Sequence, residues 1–274
     1  MKLIKTAMSI FFFAVSAPLF ADREPSYSFS KEKPLVYNFS IRGAIKYATG
    51  GFDANKFDVE AKGLLRFETQ EAGGETFSVK LVPFRTTIKV NEMLIEDFSG
   101  EESSVSQFIS TSVIEISKNG RISSSREVTS GMLSMAQILR ILPSFPGKLH
   151  PGRRWKQSIQ SFSLPGMPMC NLEFYYLYAG ESTNPFKVKL VANQPIKEKK
   201  KEGDVTISFT GKNSSTGEFL FDEEKGEIAG FAGNFGLVLN TVFSSPSTTG
   251  KEDSTGQSIP VKMDVDLDVK ISRK

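Results

Sequence analysis

The side chains best suited to nucleophilic catalysis are His150 and Cys170, and each is the only residue of its type in the 274-residue chain. A catalytic dyad would require the two to meet beside an orienting acid. Cys170 lies in the apolar stretch Pro-Gly-Met-Pro-Met-Cys, and an apolar setting raises the pKa of a thiol and makes it unreactive. We therefore expect an exposed imidazole, a buried thiol, no catalytic residue and no enzymatic activity.

The same counts leave little material for metal or cofactor sites. One His and one Cys cannot form a His/Cys metal cluster, and a single Cys cannot close a disulfide within the chain. Asp264, Asp266 and Asp268 repeat with period two, as at the start of a calcium loop, but the turn glycine that such a loop needs is missing. We expect these carboxylates on the solvated face of a strand, and the sequence predicts no metal ion and no cofactor.

Apolar side chains offer the remaining chemistry. Met and Phe adapt to irregular apolar shapes, as a pocket for an acyl chain would require. The residues predicted to bind such a ligand are Met132, Met135, Leu139, Phe174, Tyr176 and Phe221. The alternative is an ordinary hydrophobic core, because a large sheet needs the same residues to pack. The sequence does not distinguish a filled core from a hollow one.

The elements that must position these side chains are mostly strands. In residues 261–271 apolar side chains alternate with polar ones, which is typical of an antiparallel sheet with one face in solvent. Similar runs, separated by glycine-containing turns such as Asn119-Gly120 and Lys225-Gly226, recur along the chain. The predicted fold class is mainly β, with a large curved antiparallel sheet.

One segment has the period of a helix instead. In residues 129–142 apolar side chains recur three or four residues apart, which predicts one central α-helix with one apolar face. Pro143 would end this helix. The proline- and glycine-rich residues 143–154 then form a connector to the next strand.

The connector separates two halves with similar landmarks. Residues 77–82 (Phe-Ser-Val-Lys-Leu-Val) resemble residues 186–191 (Phe-Lys-Val-Lys-Leu-Val), and an Ile-Lys pair and a glycine hairpin follow in each half. The offsets between these landmarks are 109, 108 and 106 residues, which predicts an internal duplication. We expect an N-terminal β half at 22–142, ending in the helix, and a C-terminal β half at 155–274. The halves would form either one half-barrel or two similar β lobes.

Residues 1–21 have the three parts of a secretory signal peptide: two lysines, a short apolar run and a small-residue exit at Ala21. The apolar run is short for a membrane span and no later stretch reaches that length, so we expect no transmembrane span after signal removal. Removal of the two lysines leaves 32 basic and 31 acidic residues. That balance gives no electrostatic attraction to nucleic acid. We expect an exported protein, in the periplasm or secreted.

The helix, the Pro143…Pro146-Gly147 connector, the Gly152-x-x-Trp155 strand start and the glycine-turn hairpins resemble uncharacterised families of exported bacterial proteins that carry only domain-of-unknown-function labels. The architecture is similar to the LolA and LppX type of periplasmic lipid carrier, a curved sheet whose open face is plugged by helices. That similarity implies an apolar ligand held by the sheet, with the helix as its lid or plug.

Two functions fit these features. The first is an exported, non-enzymatic binding protein that holds a lipid or another apolar small molecule in its curved sheet. The alternative is an envelope interaction or scaffold protein with a dry core, which binds protein partners through its sheet edges. Trp155 and the connector would then belong to the contact surface. A hollow interior distinguishes the two, because the first function requires it and the second excludes it.

Overall fold

A computed structural model describes residues 22–50, 52–98, 106–129, 131, 133–160, 169–245 and 258–274. Within these residues the chain forms sixteen strands and one short helix. The strands are β1 (Leu35–Thr49), β2 (Asn55–Gly73), β3 (Thr76–Val90), β4 (Met93–Asp97), β5 (Ile109–Ser110), β6 (Ser112–Ser117), β7 (Ile122–Glu127), β8 (Leu133–Ser134), β9 (Arg154–Gln160), β10 (Asn171–Tyr178), β11 (Phe186–Val191), β12 (Gln194–Glu202), β13 (Val205–Asn213), β14 (Thr216–Asp222), β15 (Glu227–Ser244) and β16 (Ser258–Arg273). The helix α1 (Met135–Leu139) lies between β8 and β9.

Fourteen of the strands form one antiparallel sheet. Its main path runs β7-β6-β3-β2-β1-β16-β15-β14-β11-β10-β9, with β4 beside β3 and the β12–β13 hairpin beside β15. Strands β5 and β8 form a separate two-residue parallel pair. The predicted fold class is confirmed: the protein is mainly β, with one large antiparallel sheet and a single short helix. The two halves belong to one sheet and not to two lobes.

Strand β16 lies in the middle of the path and joins the two halves. It pairs antiparallel with β1 on one side and with β15 on the other. Its side chains alternate as the sequence predicts, with Val265, Leu267 and Val269 buried and the intervening aspartates on the outer face. Burial of each such aliphatic side chain contributes about 1.5–3 kcal/mol. The strand thus connects the halves through main-chain hydrogen bonds and through an apolar inner row.

The strands on either side of β16 pair in matching registers. Three cross-strand pairs of the first half each have an equivalent in the second half. Phe77–Ile116 corresponds to Phe186–Phe221, and Phe67–Leu81 corresponds to Tyr176–Leu190. Ile116–Ile122 corresponds to Phe221–Ile228. A register shift interrupts the β6–β7 pairing beside Ile116 and the β14–β15 pairing beside Phe221. Such shared registers and bulges are what an internal duplication produces, since bulges are retained within families.

The helix is shorter than the predicted range of 129–142. It spans only Met135–Leu139, and β8 immediately before it is extended and pairs with β5. At Gly131 the chain runs so close to this partner that a Cβ atom would lie 2.5 Å from the Ser110 nitrogen. Pairing with a neighbouring backbone therefore replaces helix over the first residues of the predicted range, although the apolar spacing suits a helix.

The concave face of the sheet is covered by two chain segments, residues 22–29 and residues 133–149. The first segment connects the equivalent hairpins of the two halves. The Tyr27 N–H donates to the Lys118 carbonyl at the β6–β7 turn (2.6 Å), and the Ser28 N–H donates to the Gly226 carbonyl at the β14–β15 turn (2.8 Å). Gly226 has φ +66, and a Cβ atom there would lie 2.7 Å from a main-chain oxygen of this segment. The turn glycine therefore allows the segment to approach.

The Tyr27 side chain joins the two covering segments. Its hydroxyl donates to the Pro143 carbonyl (3.2 Å) in a buried hydrogen bond. Its ring centroid lies 5.7 Å from that of Phe145 and 5.1 Å from that of Phe221. Residues at the very start of the described chain are thus part of the central core.

Because the Tyr27 ring is buried among aromatic side chains, we expect Tyr27→Ala to lower the free energy of unfolding by about 3–5 kcal/mol. Tyr27→Phe removes only the hydroxyl and should cost about 1 kcal/mol. Urea denaturation measures both. The exposed Phe52 supplies the control, since Phe52→Ala should change stability by less than about 0.5 kcal/mol. Equal effects of Tyr27→Ala and Phe52→Ala would contradict the placement of residues 22–29.

Asp222 holds the β14–β15 turn. Its carboxylate accepts hydrogen bonds from Asn184 Nδ2 (3.0 Å) and the Lys225 N–H (3.2 Å), and it lies 2.8 Å from Lys225 Nζ. Burial by itself raises the pKa of Asp222, but the bonds from Lys225 and Asn184 outweigh burial, and the pKa lies below its ordinary value of 3.8.

A carboxyl group whose pKa is lower in the folded state stabilises the fold above its unfolded pKa, and this contribution is lost as the pH falls through the folded pKa. We therefore expect the free energy of unfolding of the wild type to fall more steeply below about pH 4 than that of Asp222→Asn. Urea denaturation at a series of acidic pH values measures the two slopes. Identical slopes would show that Asp222 is not ionised and bonded as described.

Candidate functional site

His150 and Cys170 lie in different environments. His150 Nδ1 is 2.8 Å from Asp22 Oδ1 in an exposed pair, whereas Cys170 is fully buried in the hydrophobic core. The hydrogen bond with His150 is the largest influence on the pKa of Asp22 and lowers it. The imidazole is therefore paired with a surface carboxylate, and the thiol is closed off from solvent.

The aspartates of β16 point to the outer face of the sheet. Asp264 lies 3.6 Å from Lys46 Nζ, while Asn234 Nδ2 donates to Asp266 (2.7 Å) and Asp268 (3.3 Å). Each carboxylate thus has a partner on a neighbouring strand. Across the ranges that the structure describes, no group of three or more His, Cys, Asp or Glu side chains could hold a metal ion.

The residues predicted to bind an apolar ligand belong to the core wherever the structure describes them. Met132 lies outside the described residues. Each of the other five is at most 2% exposed: Met135, Leu139, Phe174, Tyr176 and Phe221. The structure brings all five into one hydrophobic cluster on the concave side of the sheet.

Other side chains already occupy the space beside these residues. The Tyr176 ring stacks on Trp155 at a centroid distance of 5.4 Å, and its hydroxyl donates to the Ile141 carbonyl (2.8 Å). Phe221 meets the Phe145 ring edge to face at 4.9 Å. A void beside Leu139 measures about 20 Å³, room for about one water molecule. Small-molecule sites are typically some 300–1,000 Å³, so this void does not accommodate an acyl chain.

A larger opening lies where the two ends of the sheet approach each other. Residues of the end strands β7 and β9 line one groove of about 660 Å³, which we call the seam. Its floor includes Arg140, Ser144 and Phe145 from the second covering segment. In the described part of the chain no pairing joins β7 to β9. Each strand therefore presents one edge of main-chain groups without a strand partner.

Side chains hold the floor of the seam to both strands. Gln157 of β9 donates to the Arg140 carbonyl (2.9 Å) and accepts from the Ser144 N–H (3.0 Å). The Arg140 guanidinium spans the seam, donating to Ser125 Oγ of β7 (2.9 Å) and to Gln160 Oε1 of β9 (3.3 Å). The groove thus has fixed walls and a fixed floor.

The seam concentrates arginines that lack an acidic partner. Two of the ten arginines, Arg121 and Arg140, line the seam, and three more lie on its edge strands or next to them: Arg126, Arg153 and Arg154. None of the five has a described carboxylate within 4.0 Å. By contrast, four arginines elsewhere each pair with a glutamate: Arg23, Arg42, Arg66 and Arg273. These five arginines are therefore not in ion pairs with described acidic groups, although Glu127 also lies on β7 and Glu173 pairs with Lys156 of the seam.

Of the residues at the seam, only Trp155 and the connector are predicted from the sequence to belong to a contact surface. The signal for β7 is its composition, Ile-Ser-Ser-Ser-Arg-Glu, which is polar at nearly every position. A strand without an apolar row is typical of a sheet edge. The signal for β9 is the alternation of exposed residues with the half-buried Trp155, Gln157 and Ile159, which indicates a strand with an incompletely covered inner face.

Neither a protein-family model nor a curated protein sequence matches this chain. Among the residues described, no helix is long and apolar enough to cross a membrane. The function must therefore be inferred from the filled interior and from the geometry of the seam.

Proposed function

We propose that this chain is an exported, non-enzymatic interaction protein with a dry core, which binds a protein partner through the sheet edges at the seam. The observation that carries the proposal is that two strand edges, neither of which pairs with another described strand, line a single groove. Exposed edges readily pair with a strand from another chain. Export rests on the signal-peptide pattern of residues 1–21.

Proteins usually protect their edge strands against unwanted pairing. The edges of β7 and β9 carry exposed charged side chains, including Arg126 and Arg154, but no proline, and the groove between them has a volume of about 660 Å³. Within the seam, the Trp155 side chain is partly buried, and its indole N–H is buried without a hydrogen-bond partner among the described residues. Aromatic residues and arginines are the residue types enriched at protein–protein interfaces. These features together favour a binding surface over a passive sheet end.

The alternative remains a carrier of a lipid or another apolar molecule. It is favoured by the apolar concave face, whose residues include Met135 and Leu139. The carrier would require the two covering segments to move out of the sheet, because the void in the described interior measures only about 20 Å³. That movement would expose Tyr27 and Phe145, which are at most 2% exposed.

To test the interaction, a photoreactive amino acid placed at Ser124 of β7 or Ser158 of β9 should crosslink one partner protein in the exported fraction. The same amino acid at Lys62, on the outer face of β2, is the control position. We expect Arg126→Glu/Arg154→Glu to weaken binding of the purified partner about tenfold, because two rim charges are reversed. Lys62→Glu/Lys270→Glu changes the net charge equally and should leave affinity unchanged. Crosslinks that do not depend on position would contradict the proposed function.

Native mass spectrometry distinguishes the two functions. Protein purified from the exported fraction without detergent should have the mass of the polypeptide alone, because the described interior has no room for an acyl chain. Added fatty acid or phospholipid should not increase that mass. A reproducible excess mass that is extracted by organic solvent as a lipid would support the carrier and contradict the dry core.

A further inference from the structure

We propose that the seam is a slot that binds one extended segment of a partner protein antiparallel to both β7 and β9, with acidic residues alternating with apolar ones. This inference rests on the proposed function and deepens it. The proposed function requires only that a partner contacts the seam. The inference states the conformation, the direction and the chemistry of the segment that enters it.

The two edge strands, β7 and β9, run in the same direction. Every pairing along the eleven-strand path from β7 to β9 is antiparallel. The first and last strands of such a path run in the same direction because the number of strands is odd. One further strand between them can therefore be antiparallel to both. It would continue the alternation that the rest of the sheet follows.

The middle of the sheet supplies the precedent. Strands β1 and β15 also run in the same direction, and β16 lies between them, with Ile271 opposite both Phe39 and Phe231. By the matching registers, β9 is the equivalent of β1, and β7 is the equivalent of β15. For example, the pair Trp155–Tyr176 of β9 and β10 corresponds to the pair Leu35–Phe67 of β1 and β2. The gap between β9 and β7 is therefore the counterpart of the gap that β16 fills.

No described segment of the chain supplies a second β16. After β15 it returns to the sheet as β16. After β7, residues 133–149 instead turn into the concave interior, where Met135, Leu139 and Phe145 are buried. In the first half, the residues that follow β7 thus pack into the core, whereas in the second half the next strand after β15 is β16. Among the described residues no strand fills the slot, and the Arg140 side chain, which crosses it, would have to move aside for a bound segment.

The lengths of β7 and β9 suit a short bound strand. Strands β7 and β9 contain six and seven residues, so a segment of about six residues, roughly 20 Å long, would pair along their full length. Its inward side chains would meet the half-buried Ile122, Trp155 and Ile159. These contacts require apolar residues at alternate positions, because successive side chains of a strand point to opposite faces.

Charge determines the other face of the bound segment. Arg126 of β7 and Arg154 of β9 are exposed and lack a described carboxylate partner. In the filled gap, three of the six outward residues in 262–272 of β16 are aspartates, and one of them, Asp264, lies 3.6 Å from Lys46 of β1. Outward acidic residues on the incoming strand would pair with the arginines in the same way. Charged groups that match across an interface favour the correct partner over others.

Trp155 provides a direct measurement, because it is the only tryptophan in the chain and lines the seam. The probe is a synthetic peptide of about nine residues in which valine alternates with aspartate. We expect saturable binding that shifts the Trp155 emission to shorter wavelength as the indole is covered. Hydrogen exchange should slow in both β7 and β9. Arg126→Glu/Arg154→Glu should weaken binding about tenfold, and Lys62→Glu/Lys270→Glu should not.

Two control peptides isolate the chemistry. In one, lysine replaces aspartate, and in the other alternate amide nitrogens are methylated so that they cannot donate. Both should bind at least about tenfold more weakly than the aspartate peptide. Equal binding of the lysine peptide would overturn the acidic preference. Slower exchange in only one of the two strands would overturn the slot and indicate pairing at a single edge.

The outcomes separate this inference from the proposed function. If the partner is crosslinked at the seam but no alternating peptide binds, the slot is wrong and the proposed function stands. If crosslinking at the seam also fails, both are wrong. Arginine-dependent binding to vesicles that contain phosphatidylserine, in the absence of peptide binding, would assign the arginines to a membrane surface and overturn the inference. A dimer that Arg126→Glu/Arg154→Glu dissociates would assign the seam to a second copy and also overturn it.

Discussion

The apolar concave face of the sheet must be covered, and the rest of the structure depends on how the chain covers it. Two segments with little regular structure, residues 22–29 and 133–149, enter the concavity and fill it with Tyr27, Phe145 and α1. They are held by main-chain bonds to the hairpin turns of both halves. This arrangement gives a filled core, and it explains why the residues with the chemistry of a lipid pocket are packed against protein.

The covering has a consequence at the ends of the sheet. Apart from the short β8, residues 133–149 fill the interior and do not extend the main sheet, so no described strand pairs with the outer edge of β7. Gln157 then fastens the floor of the seam to β9 through Arg140 and Ser144. The filled core and the open seam therefore both result from the path of residues 133–149. Any change that loosens residues 133–149 should disturb both.

Much of the fold could be predicted from the sequence because its signals are local. Period-two alternation identified the strands, and glycine turns such as Asn119-Gly120 separated them correctly. The length of the helix was wrong because apolar spacing does not report that Leu133 and Ser134 pair with another backbone. The sequence did not predict that residues 22–29 enter the core, because two aromatic residues, Tyr27 and Phe29, form too short a pattern to indicate a buried segment.

The seam could not be predicted, since it is defined by which strands do not pair. Sequence patterns show that β7 is polar and that Trp155 begins a strand, but the meeting of β7 and β9 results from the curvature of eleven strands. Likewise, the arginines of the seam are unremarkable in a chain of balanced charge. Only the structure shows that these arginines form no ion pair with a described carboxylate, whereas four other arginines do.

The difference between one free edge and two decides whether a short segment binds. Ordering a residue costs about 1–2 kcal/mol of backbone entropy, and a main-chain hydrogen bond returns a net 0.5–1.5 kcal/mol or so. At a single edge only half of the bound strand's main-chain groups find partners, so the gain barely matches the cost. Between β7 and β9 both sides are paired at the same entropic cost, and the floor adds apolar contact with Trp155. A slot therefore favours short, extended partners that a single edge would not retain.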